Sequence, residues 1–152
     1  MRSSIYLDAN VFIYFVEGES VVATAMRDLF ACLVKYTTLA VTSELTLAEV
    51  LAPLRRKTAL SLPLKRRLYL DLIMESGFVQ LEPVSRNILI ETASLRLSSA
   101  CKLADAIHLV TATRTQCEFF MSGDSDTRRV PKGMTWLPPT ADGVRAFLDT
   151  LT

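Results

Sequence analysis

Five acidic side chains lie where predicted strands end or predicted helices begin: Asp8, Glu49, Asp105, Asp124 and Asp126. Carboxylates brought close together raise one another's pKa unless a cation lies between them. Ligand sets made only of oxygen select hard cations such as Mg²⁺ or Mn²⁺. A carboxylate-bound ion of this kind suits the hydrolysis of phosphodiesters. The residue types therefore predict a magnesium or manganese site, provided that the fold brings them together.

The elements that must position these residues alternate between strands and helices. Short runs rich in β-branched and aromatic residues predict strands at 4–8, 37–43, 77–83 and 117–124, with a last strand near 134–138. Helical spacing of apolar residues fills the intervals between them. Strands separated by helices form parallel sheets, so we expect a three-layer α/β/α fold around a parallel sheet of about five strands. We expect residues 1–152 to form a single domain.

This architecture predicts that the carboxylates converge. Asp8 and Asp124 end two predicted strands, and ligands of parallel α/β sheets bind outside the carboxyl ends of the strands. Glu49 and Asp105 lie early in helices that we expect to begin at the same edge, and Asp126 follows Asp124 by two residues. We expect the first four to be catalytic, and Asn10 to orient Asp8 or a water. The expected metal ligands are Asp8, Asp105, Asp124 and Asp126.

Each acidic residue also has a purely structural explanation. Asp8, with Asn10, can form an Asx turn or cap the following helix. Thr46 and Glu49 match the T-x-x-E capping box. Asp105 complements the dipole of a helix start, and the aspartates of "SGDSD" suit a turn.

Histidine and cysteine argue against a catalytic zinc site. His108 is the only histidine, lies one turn after Asp105, and is interpreted as a packing or locally hydrogen-bonded residue. The three cysteines are far apart and lack CxxC spacing, which indicates neither zinc nor a disulfide framework and favours a reducing cytoplasm. The glycines form neither a dinucleotide-binding nor a P-loop motif.

The overall charge of the chain is too small to attract a polyanion or a membrane surface. Seventeen basic residues against sixteen acidic ones leave a net charge of +1, and no uncharged run is long enough to span a bilayer or resembles a signal peptide. Basic residues are nevertheless clustered at 55–67 and after Asp124. Beside an acidic, metal-filled crevice they suit RNA phosphates. The candidate RNA contacts are Arg55, Arg56, Lys57, Arg128 and Arg129.

Four segments carry a resemblance to a known family: "LDANVFIYF", "TSELTLAEVL", "LADAIHLVTA" and "FFMSGDSD". In this order they resemble the successive blocks of the PIN-domain family, especially the VapC-type toxin ribonucleases, over about 120 residues. The resemblance implies a Mg²⁺- or Mn²⁺-dependent endoribonuclease that forms homodimers and pairs with a small antitoxin protein. The acidic positions of the family fall on Asp8, Glu49, Asp105 and Asp124. The segment "DSDTRRV" lacks an aromatic residue that often follows this last block, which bears on the role of Asp126.

Two other functional classes compete with this interpretation. A phosphatase of the haloacid dehalogenase type also has an Asp at the end of its first strand. That chemistry requires a second Asp two residues on as general acid, and Asn10 cannot transfer a proton there. The other alternative is a catalytically silent PIN-like module that binds RNA or protein; the presence of all four acidic positions argues against loss of metal binding.

Overall fold

The computed structural model describes residues 4–36, 40–52 and 60–152, apart from the side chains of residues 125 and 126. Within these ranges the chain forms five strands and seven α-helices, with two α-helices between successive strands up to β4. The strands are β1 (Ile5–Leu7), β2 (Ala40–Ser43), β3 (Val79–Glu82), β4 (Phe119–Met121) and β5 (Thr135–Leu137). The helices are α1 (Ala9–Glu17), α2 (Ser20–Lys35), α3 (Leu45–Leu51), α4 (Leu62–Leu70), α5 (Arg86–Ser98), α6 (Leu103–Arg114) and α7 (Ala141–Leu148). A π-helical turn, Asp71–Glu75, continues α4, and a short 3₁₀ helix spans Ser125–Arg128.

The strands form one parallel sheet in the order β3-β2-β1-β4-β5. The predicted α/β fold with a five-stranded parallel sheet is confirmed. The strand order reverses between β1 and β4, because successive strands are added on one side of β1 up to β3 and then on its other side. Such a switch point leaves a crevice at the carboxyl ends of the two strands. Asp8 directly follows β1, and Asp124 follows β4 by three residues.

Side chains alternate between two apolar layers that cover the sheet. Ile5 and Leu7 of β1 pack into the larger core beneath α1, α2 and α7. Tyr6 points to the opposite face, where it stacks on Phe120 of β4 with ring centroids 5.1 Å apart and packs beneath α6. All three β1 residues are fully buried, as expected for a central strand covered on both faces. No helix in the described part of the chain is long and apolar enough to cross a membrane.

Asp105 and Glu49 reach the carboxyl edge of the sheet in different ways. Glu49 lies in α3, which directly follows β2, whereas Asp105 lies in α6, which follows α5 and precedes β4. Its last turn leads into β4 at the amino edge, where Glu118 N donates to Ser4 O at 3.1 Å. The beginning of α6, which carries Asp105, therefore points to the carboxyl edge.

Candidate functional site

Asp8 occupies the junction between the two central strands. Its backbone N donates to Met121 O at 3.1 Å, and its residue surface is only 3% exposed. Oδ1 accepts a hydrogen bond from Ala9 N at 2.7 Å, which makes Asp8 the N-cap of α1. Oδ2 accepts from Ser122 Oγ at 2.7 Å. The capping explanation thus holds, and the same carboxylate also faces the crevice.

Ser122 links the ends of β1 and β4. Besides donating to Asp8, its buried hydroxyl oxygen accepts a hydrogen bond from Asp124 N at 3.0 Å. One side chain therefore holds both the Asp8 carboxylate and the backbone that carries Asp124. Ser122 was not among the predicted site residues. The available signal was its position, since it is a polar residue directly after the buried strand β4.

Glu49 lies in the second turn of α3, and its side chain is one-third exposed. The capping box with Thr46 is not formed, because Thr46 lies within α3 and is not its N-cap residue. Its hydroxyl lies 2.7 Å from Thr42 Oγ1. Ser43 Oγ instead accepts the N–H of Leu45 at 3.1 Å. Glu49 Oε1 lies 2.5 Å from His108 Nε2, so its carboxylate points into the crevice from the β2 side.

The surroundings of Asp105 disfavour its charged form. Burial raises its pKa to about 6, and the nearby charges of Asp124 and Asp8 add to the rise. Asp105 and Asp124 also share a side-chain hydrogen bond that favours the protonated form of Asp105. Asp105 Oδ2 is buried and has no hydrogen-bond partner among the described residues.

His108 lies at the centre of the site, fully buried in α6. Its Nε2 is 2.5 Å from Glu49 Oε1 and 3.4 Å from Asp8 Oδ1, while Nδ1 is 2.5 Å from Tyr6 Oη. Burial lowers its pKa, but the hydrogen bond to Glu49 and the charge of Asp8 outweigh burial, so the net shift is upward. The interpretation of His108 as a packing or locally hydrogen-bonded residue did not include Glu49 among its partners. Its spacing of three residues from Asp105 on one helix was the available signal.

The remaining predicted residues are less closely engaged. Asn10 is half-buried in α1. Within the described part of the chain, the hydrogen bonds to the Asp8 carboxylate come from Ala9 N and Ser122 Oγ and not from Asn10. Arg128 is exposed, with its guanidinium 5.0 Å from the centre of the Trp136 ring, and Arg129 is also exposed. The other candidates lie outside the described residues: the side chain of Asp126, and Arg55, Arg56 and Lys57 entirely.

The donor set fits a hard divalent cation. Asp8, Glu49 and His108 offer ligand atoms that all lie within 4.8 Å of one another. Asp105 adds a buried carboxylate oxygen without a hydrogen-bond partner in the described structure, and it lies beside Asp124. Carboxylates crowded in this way gain from a cation that neutralises them. The arrangement can therefore hold a divalent ion at the switch point of the sheet.

Comparisons with known proteins agree with this architecture. The family model of the PIN domain matches residues 5–133. A toxin-antitoxin complex from Klebsiella pneumoniae has 20% sequence identity and a TM-score of 0.62, with 90% of this chain and 98% of that chain covered. VapC20 of Mycobacterium tuberculosis, described as a toxin that cleaves the sarcin-ricin loop, has 14% identity and a TM-score of 0.65, with 85% and 98% covered.

VapBC2 from Rickettsia felis, bound to a DNA fragment from its promoter, has 15% identity and a TM-score of 0.63, with 88% of this chain and 98% of that chain covered. At these identities the structural likenesses establish the fold alone. A sequence search of the curated proteins found no match.

Proposed function

Because this chain belongs to the PIN-domain family, whose members are nucleases, we propose that it is a metal-dependent endoribonuclease and the toxin of a toxin-antitoxin pair. The observation that carries the proposal is the buried Asp105 carboxylate. Its Oδ2 has no hydrogen-bond partner within the described residues, and the acidic neighbours Asp124 and Asp8 raise its pKa. Burial of a charged carboxylate among acidic neighbours is costly, and a bound cation would offset that cost.

Asp8, Asp105 and Asp124 are the proposed ligands of Mg²⁺ or Mn²⁺, with Glu49 at the exposed side of the crevice. When bound, such an ion would act as a Lewis acid that lowers the pKa of water, so that hydroxide is available to attack a phosphodiester. It would also offset the negative charge that builds on the phosphate. The chain's own contribution is to hold the carboxylates in place: Ala9 N and Ser122 Oγ fix Asp8. Asp126 stays a proposed additional ligand.

RNA is the proposed substrate class, held by its phosphates. Arg128 and Arg129 are exposed shortly after Asp124 along the chain, and Arg55, Arg56 and Lys57 are proposed to contribute from the other cluster. Lys65 of that basic region is not available, because its Nζ pairs with Glu17 Oε1 at 2.7 Å. A net charge of +1 makes this local arrangement, rather than a global field, responsible for RNA affinity.

A small antitoxin and a second copy of the chain are the proposed protein partners. Two of the similar structures described above are toxin-antitoxin complexes. In this chain Leu62, Leu64 and Leu68 of α4 are exposed, which supplies apolar surface for a partner. Light scattering of the purified chain tests the homodimer. The three cysteines form no disulfide within the described structure, which supports the proposed reducing cytoplasm.

The decisive experiment is cleavage of a labelled mixed RNA pool by the purified protein with Mg²⁺, with Mn²⁺ and with EDTA. Asp105→Asn removes the buried carboxylate, and Asp28→Asn, an exposed position on α2, is the matched control. Metal-dependent cleavage by the wild type and Asp28→Asn, but not by Asp105→Asn, is the expected result. RNA binding without cleavage in any lane would contradict the enzymatic proposal and favour the silent RNA-binding module. If the chain neither cleaves nor binds RNA, the protein-interaction module is favoured.

A further inference from the structure

His108 bridges residues that are far apart in the sequence. Its Nε2 contacts Glu49 of α3 at 2.5 Å and approaches Asp8, which follows β1, to 3.4 Å. Its other nitrogen, Nδ1, lies 2.5 Å from the hydroxyl of Tyr6 in β1. With every atom of the side chain buried, this ring has no solvent partner.

Tyr6 holds the far side of the imidazole in place. The tyrosine is fully buried, and its ring stacks on Phe120 with an interplanar angle of 9°. Its Oη accepts a hydrogen bond from Ser43 N at 3.1 Å, so the hydroxyl cannot turn away without leaving a buried N–H unpaired. Burial raises the pKa of Tyr6 well above its usual value, so the phenol keeps its proton. That proton can be donated to His108 Nδ1.

The contact with Glu49 then determines where the imidazole proton lies. An ionised carboxylate only accepts hydrogen bonds, so the Nε2 atom that faces it must carry a proton. In the neutral ring, Tyr6 donates to the bare Nδ1. In a ring with both protons, Nδ1 donates to Tyr6 Oη instead. In both cases Nε2 bears hydrogen, and its electron pair is unavailable to a metal.

We propose that His108 is a positioning residue that donates from Nε2 to Glu49 beside Asp8, and that it is not a metal ligand. The inference rests on the proposed function insofar as those carboxylates bind a divalent ion. Asp8, Glu49 and His108 together would otherwise resemble the mixed nitrogen and oxygen set of a zinc site. Because His108 acts as a donor, the ligand set contains oxygen only and selects Mg²⁺ or Mn²⁺.

Nuclear magnetic resonance of the wild-type protein tests this directly, because His108 is the only histidine of the chain. Long-range ¹H–¹⁵N correlations from the ring carbon protons report both nitrogens whether or not their own protons exchange rapidly. We expect a pyrrole-type Nε2 in the metal-free protein, and we expect it to persist after saturation with Mg²⁺. A pyridine-type Nε2 in either state would overturn the proposal, since it would show a bare nitrogen facing Glu49 or the ion.

Substitutions give an independent measurement, the affinity for Mn²⁺ by calorimetry. His108→Leu removes the donor and is expected to weaken binding by about 10- to 100-fold, the usual effect of losing a residue that orients a metal ligand. His108→Gln places an amide N–H at a similar reach and is expected to recover most of that loss. Equal Mn²⁺ affinity of folded His108→Leu and wild type would contradict the positioning role.

Tyr6→Phe separates the role of the hydroxyl from that of the ring. It keeps the stacking on Phe120 and removes the group that faces Nδ1. We expect a lower fraction of protonated Nε2 and a few-fold weaker Mn²⁺ affinity, and an unchanged Nε2 signal would overturn the part assigned to Tyr6. A wild type that binds no Mn²⁺ would defeat the proposed function, whereas the tautomer measured without metal still decides the donor assignment. That measurement needs no variant to fold.

Discussion

At the scale of single residues, Asp105 bears much of the repulsion within the carboxylate cluster. We expect Asp105→Asn to stabilise the metal-free protein by on the order of 1 kcal/mol, because the amide removes a buried charge and can donate to Asp124. Urea unfolding in EDTA measures this. Asp28→Asn, on an exposed surface, should change the free energy of unfolding little. A clear loss of stability in Asp105→Asn would show that its charge is compensated by the protein itself.

The raised pKa of Asp105 also predicts how stability depends on pH. Its folded-state value of about 6 exceeds the usual 3.8, so the folded metal-free protein binds the proton more tightly than the unfolded chain. This contribution to stability is fully present when the pH is below the pKa of Asp105 in the unfolded chain, 3.8, and it is lost as pH rises through about 6. Thermal unfolding in EDTA across this range should show the loss in the wild type and a flatter profile in Asp105→Asn. Equal slopes for the two proteins would rule out Asp105 as the titrating group.

At the scale of elements, Ser122 joins β1 to the segment after β4. Ser122→Ala removes the donor to Asp8 Oδ2 and the acceptor of Asp124 N. We expect Mn²⁺ binding to weaken about 10-fold and the free energy of unfolding to fall by about 1 kcal/mol. Thr92→Val is the matched control, because Thr92 Oγ1 is buried without a hydrogen-bond partner in the described part of the chain. Unchanged Mn²⁺ affinity in Ser122→Ala would show that the hydrogen bonds of Ser122 do not support metal binding.

The contact between α1 and α4 depends on a buried ion pair. The side chain of Glu17 is 1% exposed and pairs with Lys65 Nζ at 2.7 Å, while Tyr69 Oη donates to the same carboxylate. Lys65→Met leaves the carboxylate without its cation and should cost about 3 kcal/mol in urea unfolding. The double variant with Glu17→Gln should recover most of this loss.

The exposed pair of Arg67 and Asp71, 3.9 Å apart, provides the comparison. Arg67→Met should change the free energy of unfolding by less than about 1 kcal/mol, because solvent screens exposed charges. If Lys65→Met and Arg67→Met had similar effects, the buried pair would not be what holds α4 against α1.

At the scale of the whole molecule, the switch point couples metal binding to the stability of the fold. The site draws its groups from the ends of β1 and β4 and from α3 and α6, which an unfolded chain cannot assemble. A ligand that binds only the folded state raises stability by about 2.7 kcal/mol at 100 times its Kd. We expect Mg²⁺ to raise the Tm of the wild type with the logarithm of its concentration above the Kd, and to leave the Tm of Asp105→Asn unchanged. A shift of equal size in both proteins would indicate a cation effect elsewhere on the molecule.

Much of the fold follows from local sequence pattern. Most strands are short runs rich in apolar or β-branched residues, and α-helices separate all but the last two strands, which favours parallel crossovers. The confirmed sheet class therefore followed from local pattern. The caps at Asp8, Ser61 and Ser85 have the residue types that begin helices. The capping box that the T-x-x-E match at Thr46 offered as an alternative is not formed, because the Thr46 hydroxyl bonds to Thr42.

The sequence by itself determined that acidic residues would end strands and begin helices, because strand and helix boundaries are set by nearby residues. Only the tertiary structure decided which side chains hold them. His108 meets Glu49 across 59 positions, Tyr6 across 102, and Ser122 meets Asp8 across 114. Such contacts depend on the order of strands in the sheet and on which face each side chain occupies, and neither is encoded in a local pattern.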